Sequence, residues 1–205
     1  MREPTAGAAQ NEAMIIGRTG RARLPITFDA RALLRDALAL PPDAWEPHFN
    51  RALYRNDWSG VALRSNGGVG LYPNPHSSQA FTDTPWLARC PAVREALARF
   101  ACPTSAVRFL RVGADSEIFE HRDYDLTAEG GEARVHVCVQ TSNDVTFLLD
   151  STPVVMLPGS CWYLDVSRPH RVINAGATAR VHLVVDCMID GWLRELIAAG
   201  DPGDG

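Results

Sequence analysis

Apolar positions along the chain follow two periods. Over residues 29–40 (DARALLRDALAL) and 91–101 (PAVREALARFA) they recur at helical spacing. Asp29 is placed to cap the first helix, Pro41-Pro42 to stop it, and Pro91 suits the first turn of the second. After residue 106 the period becomes two. Residues 107–112, 134–141, 145–149, 154–157, 161–165, 171–174 and 180–187 read as short strands. Turn signals at Glu129-Gly130-Gly131, Ser142-Asn143-Asp144, Pro158-Gly159 and Asn174-Ala175-Gly176 separate most of them. A short strand is expected over 24–28, an irregular Gly/Pro/Asn-rich loop over 66–75, and a last amphipathic helix over 192–199. The order, helices first and then many closely spaced strands, predicts an α+β, mainly β chain built on a sandwich or open-ended barrel.

The length of 205 residues suits one sizeable domain. Residues 1–20 are expected to be a flexible tail and 21–205 a single domain, with the β core at about 106–187. The net charge of −4, with no basic run, argues against nucleic acid or an anionic membrane as the main partner. No apolar stretch is long enough to span a bilayer, and the N-terminus lacks the layout of a secretion signal. The cysteines are odd in number and form no CxxC pair, so they read as reduced thiols in a cytoplasmic protein. Oligomeric state is not legible.

The chemistry concentrates in three residues. His121 and Asp123 stand at i and i+2, which on a strand points both to one side. His170 would join them from a later strand. Two imidazoles and one carboxylate on one face of an octahedron leave three positions open, the arrangement of non-haem Fe(II) oxygenases. A 2-oxo acid would take two of those positions and O2 the third. The HxD pair alone is a frequent accident; its company gives it weight.

In ARVHVCVQT (133–141), Val135, Val137 and Val139 share one face, and Arg134, His136, Cys138 and Gln140 the other. In ARVHLVVDC (179–187), Arg180, His182, Val184 and Asp186 share a face in the same way. An inward arginine is costly unless an anion meets it. Either that anion belongs to the protein, as in an Arg180–Asp186 or Arg134–Asp165 pair, or Arg180 holds the distal carboxylate of 2-oxoglutarate with its planar fork.

His121-Arg122-Asp123, Arg134-Val135-His136, the run Leu164-Asp165-Val166-Ser167-Arg168-Pro169-His170, Asn174, Arg180 and Asp186 together resemble the aspartyl/asparaginyl β-hydroxylase family over residues 106–187. Trp58 to Arg64 (WSGVALR) is also similar to bacterial members. The resemblance implies a double-stranded β-helix (cupin-like jelly roll) with N-terminal and flanking helices. It also implies Fe(II), 2-oxoglutarate and hydroxylation at an unactivated carbon, with release of succinate and CO2. Carried over, His121, Asp123 and His170 are the metal ligands and catalytic centre. Arg180, Arg134, His136 and His182 form the cosubstrate set. The animal enzyme that names the family lacks the carboxylate ligand. With Asp123 present, the chain looks more like bacterial cis-proline hydroxylases, which favours a free, carrier-bound or short-peptide amino-acid-like substrate. The loop before His121 reads Gly113-Ala114-Asp115 where Pro-Gly is expected.

Arg108, Arg122, Arg64 and His48 are candidates for meeting a substrate carboxylate; for each, a solvated or ion-paired strand-end role is the alternative. Trp45, Trp58, Trp86 and Trp192 read as packing residues. Two rival readings remain open: a cupin-like module that binds a small anion without turnover, and a cupin isomerase or hydrolase using Zn or Mn.

Overall fold

The computed structural model describes residues 20–67, 71, 77–123, 126 and 130–203. The expected tail at 1–20 falls almost wholly outside these residues, as do part of the 66–75 loop and Glu129 of one expected turn.

Two antiparallel sheets face each other. The larger runs in the order β1 (Arg21–Thr27), β11 (Ser160–Leu164), β8 (Glu132–Gln140), β13 (Arg180–Met188), β6 (Thr104–Val112), β4 (Trp58–Ser65) and β2 (Glu46–Pro47), with β5 (Thr82–Asp83) beside β4. The smaller runs β10 (Thr152–Pro153), β9 (Val145–Leu149), β12 (His170–Asn174), β7 (Ser116–His121) and β3 (Tyr54–Arg55). This is the jelly-roll, double-stranded β-helix architecture expected above.

The alternation in the strands assigns the two faces of the larger sheet. Val135, Val137, Leu183, Val185 and Phe109 point outward. There they pack under α1 (Ala30–Ala39), α2 (Pro91–Leu97) and α3 (Gly191–Ala198) through Leu33, Val93 and Leu193. Asp29 caps α1 by accepting from the Ala32 N–H, and Asp190 caps α3 by accepting from the Leu193 N–H. The other face meets the smaller sheet across Val112, Cys138, Leu164, Ile118, Phe147 and Val172. Arg108, Arg134, His136, Arg180, His182 and Asp186 share this inner face at alternate positions and are all buried.

The structure corrects several expectations. Helices do not simply precede strands: β1 lies before α1 and joins the larger sheet against β11. Residues 58–65 form a long strand beside β6 that the periodicity missed. Its residues are buried on both faces, so no apolar–polar alternation exists to read. Gly60 permits this fit, since a Cβ there would lie 2.5 Å from the Phe109 carbonyl oxygen. Residues 154–157 are not a strand. Pro153 and Pro158 bracket them without N–H donors, β10 ends at Pro153, and Val155 and Leu157 stand exposed. In the loop before His121, Asp115 takes the left-handed conformation (φ +47°), which Asp tolerates better than most residues. Among the described residues the cysteines are free and buried, and no helix is long and apolar enough to cross a membrane.

Asn174 ties the sheets together. Its Nδ2 lies within 3.1 Å of the carbonyl oxygens of Val112, Gly113 and Thr178, and its Oδ1 accepts from the Gly176 N–H. Asn174→Ala should therefore cost about 2–4 kcal/mol by stranding these buried groups, read as a lowered urea midpoint with unchanged slope.

Candidate metal centre

A β-bulge brings the first ligand into place. His121 is opposite His170, and Ile118 is opposite Val172, so three steps on β7 match two on β12. Strict alternation from Ile118 would turn His121 away from the cavity. The extra residue returns it to the same side, where both line one small cavity. Asp123 lies past the end of β7, not on the strand as the i, i+2 argument assumed. Its backbone N–H donates to the Val166 carbonyl at 2.9 Å, which ties it to the loop leading to His170.

One donor atom each from His121, Asp123 and His170 lies within 4.8 Å of the others. His121 Nδ1 is 2.8 Å from the Phe119 carbonyl oxygen, and His170 Nδ1 is 3.0 Å from that of Arg168. A carbonyl only accepts, so each Nδ1 carries the proton and each Nε2 keeps its lone pair free. Asp123 Oδ2 accepts from Arg134, while Oδ1 faces His121 Nε2 at 3.8 Å. The set is two neutral imidazole nitrogens and one carboxylate oxygen, which fits a divalent transition metal and leaves further positions open. Burial holds His170 down at about 4, with help from His121. Burial would raise Asp123, but Arg134, then His170 and His121, outweigh it and hold the carboxyl below its usual range. Phe147 stacks on His170 at 6.2 Å and Trp58 lies 5.5 Å from His121, so the two imidazoles are walled by rings.

Behind the set runs a chain of buried charges. Asp186 accepts from Arg108, and also from Arg134 Nε at 2.7 Å; Arg134 then reaches Asp123. Arg108 and Arg134 keep the Asp186 carboxyl below its usual range although burial pushes it up. Neither ion pair suggested by the strand pattern forms, since Asp186 faces Arg108 and Arg134, and Asp165 pairs with Arg168.

Arg180 stands apart. It is 2% exposed and has no carboxylate within ion-pair distance among the described residues. It donates to His182 Nδ1 at 2.9 Å and stacks over Phe147 at 5.8 Å. Burial lowers its guanidinium to about 10. Because Arg180 can only donate, His182 is neutral with Nδ1 unprotonated. Burial and then Arg180 hold both His182 and His136 well below the ordinary imidazole value. His136 Nε2 has no hydrogen-bond partner among the described residues, and His136 lines the metal cavity.

The structure thus brings His121, Asp123, His170, Arg134, His136 and Arg180 to one cavity, with His182 against Arg180. It does not bring the proposed substrate residues there. Arg108 is committed to Asp186. Arg64 lies on the other side of the sheet, paired with Asp83 at 2.7 Å and lining a hollow against α2. Arg122 is exposed and donates to the Ser167 carbonyl at 3.0 Å. His48 stacks behind Trp58 at 3.6 Å. Trp58, read above as packing, lines the cavity, as do Leu110 and Phe147, which the sequence did not single out. Membership of the inner face was the available signal for Leu110 and Phe147.

The family model described as aspartyl/asparaginyl beta-hydroxylase matches residues 27–189. L-Proline cis-4-hydroxylase of Rhizobium meliloti (strain 1021) is 29% identical over 135 residues, 63% of this chain and 47% of its own. The chain therefore spans about half the length of that curated relative. Two solved structures are similar in fold. A prolyl hydroxylase from Trichoplax adhaerens, in complex with a hypoxia inducible factor peptide fragment, has a TM-score of 0.55 at 12% identity, covering 95% of this chain and 97% of its own. An oxidoreductase of the 2OG-Fe(II) oxygenase family from Burkholderia pseudomallei has a TM-score of 0.50 at 21% identity, covering 91% and 94%.

Two stability measurements test the electrostatics. Asp186→Ala leaves Arg108 and Arg134 under-neutralised in the interior and should cost about 3–5 kcal/mol in urea unfolding of the metal-free protein. The pH dependence has a fixed sign. His48, His136, His170 and His182 sit below 6.5 when folded, so below pH 6.5 the unfolded chain binds protons that the native state refuses. Asp123 and Asp186, held below 3.8, contribute in full above that value and lose their contribution as pH falls through their lowered values. Both effects weaken the fold in acid. Stability should fall between pH 6.5 and 5, and His182→Gln should remove about 1.4 kcal/mol per pH unit from that slope.

Proposed function

Since the chain belongs to the aspartyl/asparaginyl β-hydroxylase family, we propose that it is an Fe(II)- and 2-oxoglutarate-dependent dioxygenase that hydroxylates an unactivated carbon of a small, amino-acid-like substrate. One observation carries the reading: an open two-imidazole, one-carboxylate set shares its cavity with a buried arginine that has no acid partner among the described residues. A pure anion binder has no use for the open ligand set, and a cupin isomerase or hydrolase leaves the arginine unexplained.

With iron, the 2-oxo acid and O2 bound, oxidative decarboxylation to succinate and CO2 supplies the oxidant for the C–H bond. The chain's own residues do the rest. His121, Asp123 and His170 hold the ion, and their Nδ1–carbonyl contacts fix the ring orientations. Arg134 holds one oxygen of Asp123 and leaves the other for the ion. Arg180 takes the distal carboxylate of 2-oxoglutarate, and His182 and Phe147 hold its guanidinium in place. His136 lines the same cavity and would border the cosubstrate's near end. Trp58, Leu110, Ile118, Val166 and Val172 give the cavity apolar walls that limit water around the reacting centre. The likeness to a proline hydroxylase makes free L-proline the first compound to test, followed by other amino acids, short peptides and carrier-bound amino acids.

A substrate panel with Fe(II), ascorbate and 2-oxoglutarate should give a product heavier by one oxygen atom together with succinate. Iron-dependent turnover of none of these compounds, with no succinate above background, would favour the binding module. His121→Ala should abolish succinate release, and full retained activity would reassign the triad. Arg180→Met should raise the apparent KM for 2-oxoglutarate by about a hundredfold, the loss of a buried charge pair. An unchanged KM would make that arginine structural.

A further inference from the structure

We propose that short dicarboxylates reach and leave Arg180 through a second mouth of the barrel, at the end away from the metal set. The inference rests on reading Arg180 as the holder of the cosubstrate's distal carboxylate. A cavity of about 440 Å³ opens there, against about 40 Å³ for the cavity at the metal ligands. Its rim includes Thr141, Ser142 and Val145, and Arg180 and His182 line it as well. Phe147 and Arg180 line both cavities, so these two residues form the wall that the cavities share.

The register places this mouth. At the metal end, His170 of β12 pairs with Leu149 of β9 and His121 of β7. At the other end, Asn174 pairs with Val145 and Ser116. Arg180 opens β13 opposite Val112, whereas Asp186, in the ion chain that reaches Asp123, lies six residues on. The main chain of Arg180 therefore sits at the Asn174–Val145 end, where Thr141, Ser142 and Val145 line the wide cavity, while the residue also lines the cavity at the metal ligands.

The ligand class follows from the lining. A buried guanidinium without an acid partner among the described residues calls for a carboxylate. Val145, Val154 and Met156 offer apolar wall to the methylenes of a four- or five-carbon diacid. Ser142 and Thr141 at the rim are polar. The route also answers a geometric problem: a substrate seated at the small metal-side cavity would trap the cosubstrate behind it, and a rear mouth lets succinate leave and 2-oxoglutarate enter without substrate dissociation.

Val145→Trp tests this from a half-buried rim position that is not part of the metal set. Two readouts apply: anaerobic stopped-flow binding of 2-oxoglutarate to the iron-loaded protein, and succinate exchange on the metal-free protein by NMR line shape. Val145→Trp should slow both association and dissociation by about tenfold or more while Kd stays within about threefold, because a plug alters rates and not the bound state. Val145→Ala should exchange at least as fast as the parent chain. Unchanged rates in a cooperatively melting Val145→Trp protein would overturn the route alone. So would a weaker Kd with an unchanged association rate, which marks distortion of the Arg180 site. If Val145→Trp does not fold, Thr141→Trp at the rim carries the same expectation and the same refutation. A parent chain that binds neither acid overturns the route and the reading of Arg180 together.

Discussion

A chain of alternating charges, Arg108–Asp186–Arg134–Asp123, holds the centre of this molecule in register. It starts on β6, crosses β13 and β8 within the larger sheet, and ends on the carboxylate grouped with the two histidines. Two guanidinium and two carboxylate groups cancel in formal charge, so the interior carries them at a tolerable desolvation cost. Breaking the chain would leave an uncompensated charge, most costly at Arg108 and Asp186, whose side chains are 1% and 4% exposed. The metal-side carboxylate is therefore positioned by the fold before any ion arrives, and its orientation is inherited from strands whose outer faces pack under the helices.

Against that balanced chain, Arg180 is the exception that defines the site. It occupies the same inner face and is as deeply buried, yet it meets a neutral imidazole and an aromatic ring. The protein satisfies two of its inward arginines and leaves the third on the wall that two cavities share. That asymmetry is an electrostatic demand for an anion at the cavity that the ligand set also lines. Neutral His136 and His182 offer Arg180 no negative charge, so the demand stays unmet within the protein.

Much of this was legible from residue order. Period-two runs located β8, β9, β11, β12 and β13 to within a residue or two, and inward arginines on 133–141 and 179–187 marked the polar interior. The site was legible as a set of residue types but not as an arrangement. The i, i+2 rule paired His121 with Asp123 for a reason the fold does not use: the bulge in β7 turns His121, and the Val166 carbonyl holds Asp123. Asp186 shares a strand face with Arg180, yet it serves Arg108 and Arg134 on neighbouring strands, because strand pairing decides which side chains meet across a sheet. Arg64, a weaker candidate than Arg108, lies on the far side, since a register shift in β4 between Ala62 and Arg64 changes its facing.

By itself, then, the sequence determined the period of each strand, the two-faced character of the larger sheet, and the presence of two imidazoles, a carboxylate and spare arginines in an order typical of one family. Those are properties of local pattern, and local pattern survives in one dimension. Tertiary structure alone decided which arginine was neutralised and which was left facing a cavity, and whether Trp58 was packing or pocket wall. Such outcomes depend on bulges, register shifts and cross-strand neighbours, whose positions are set by the packing of distant segments against one another.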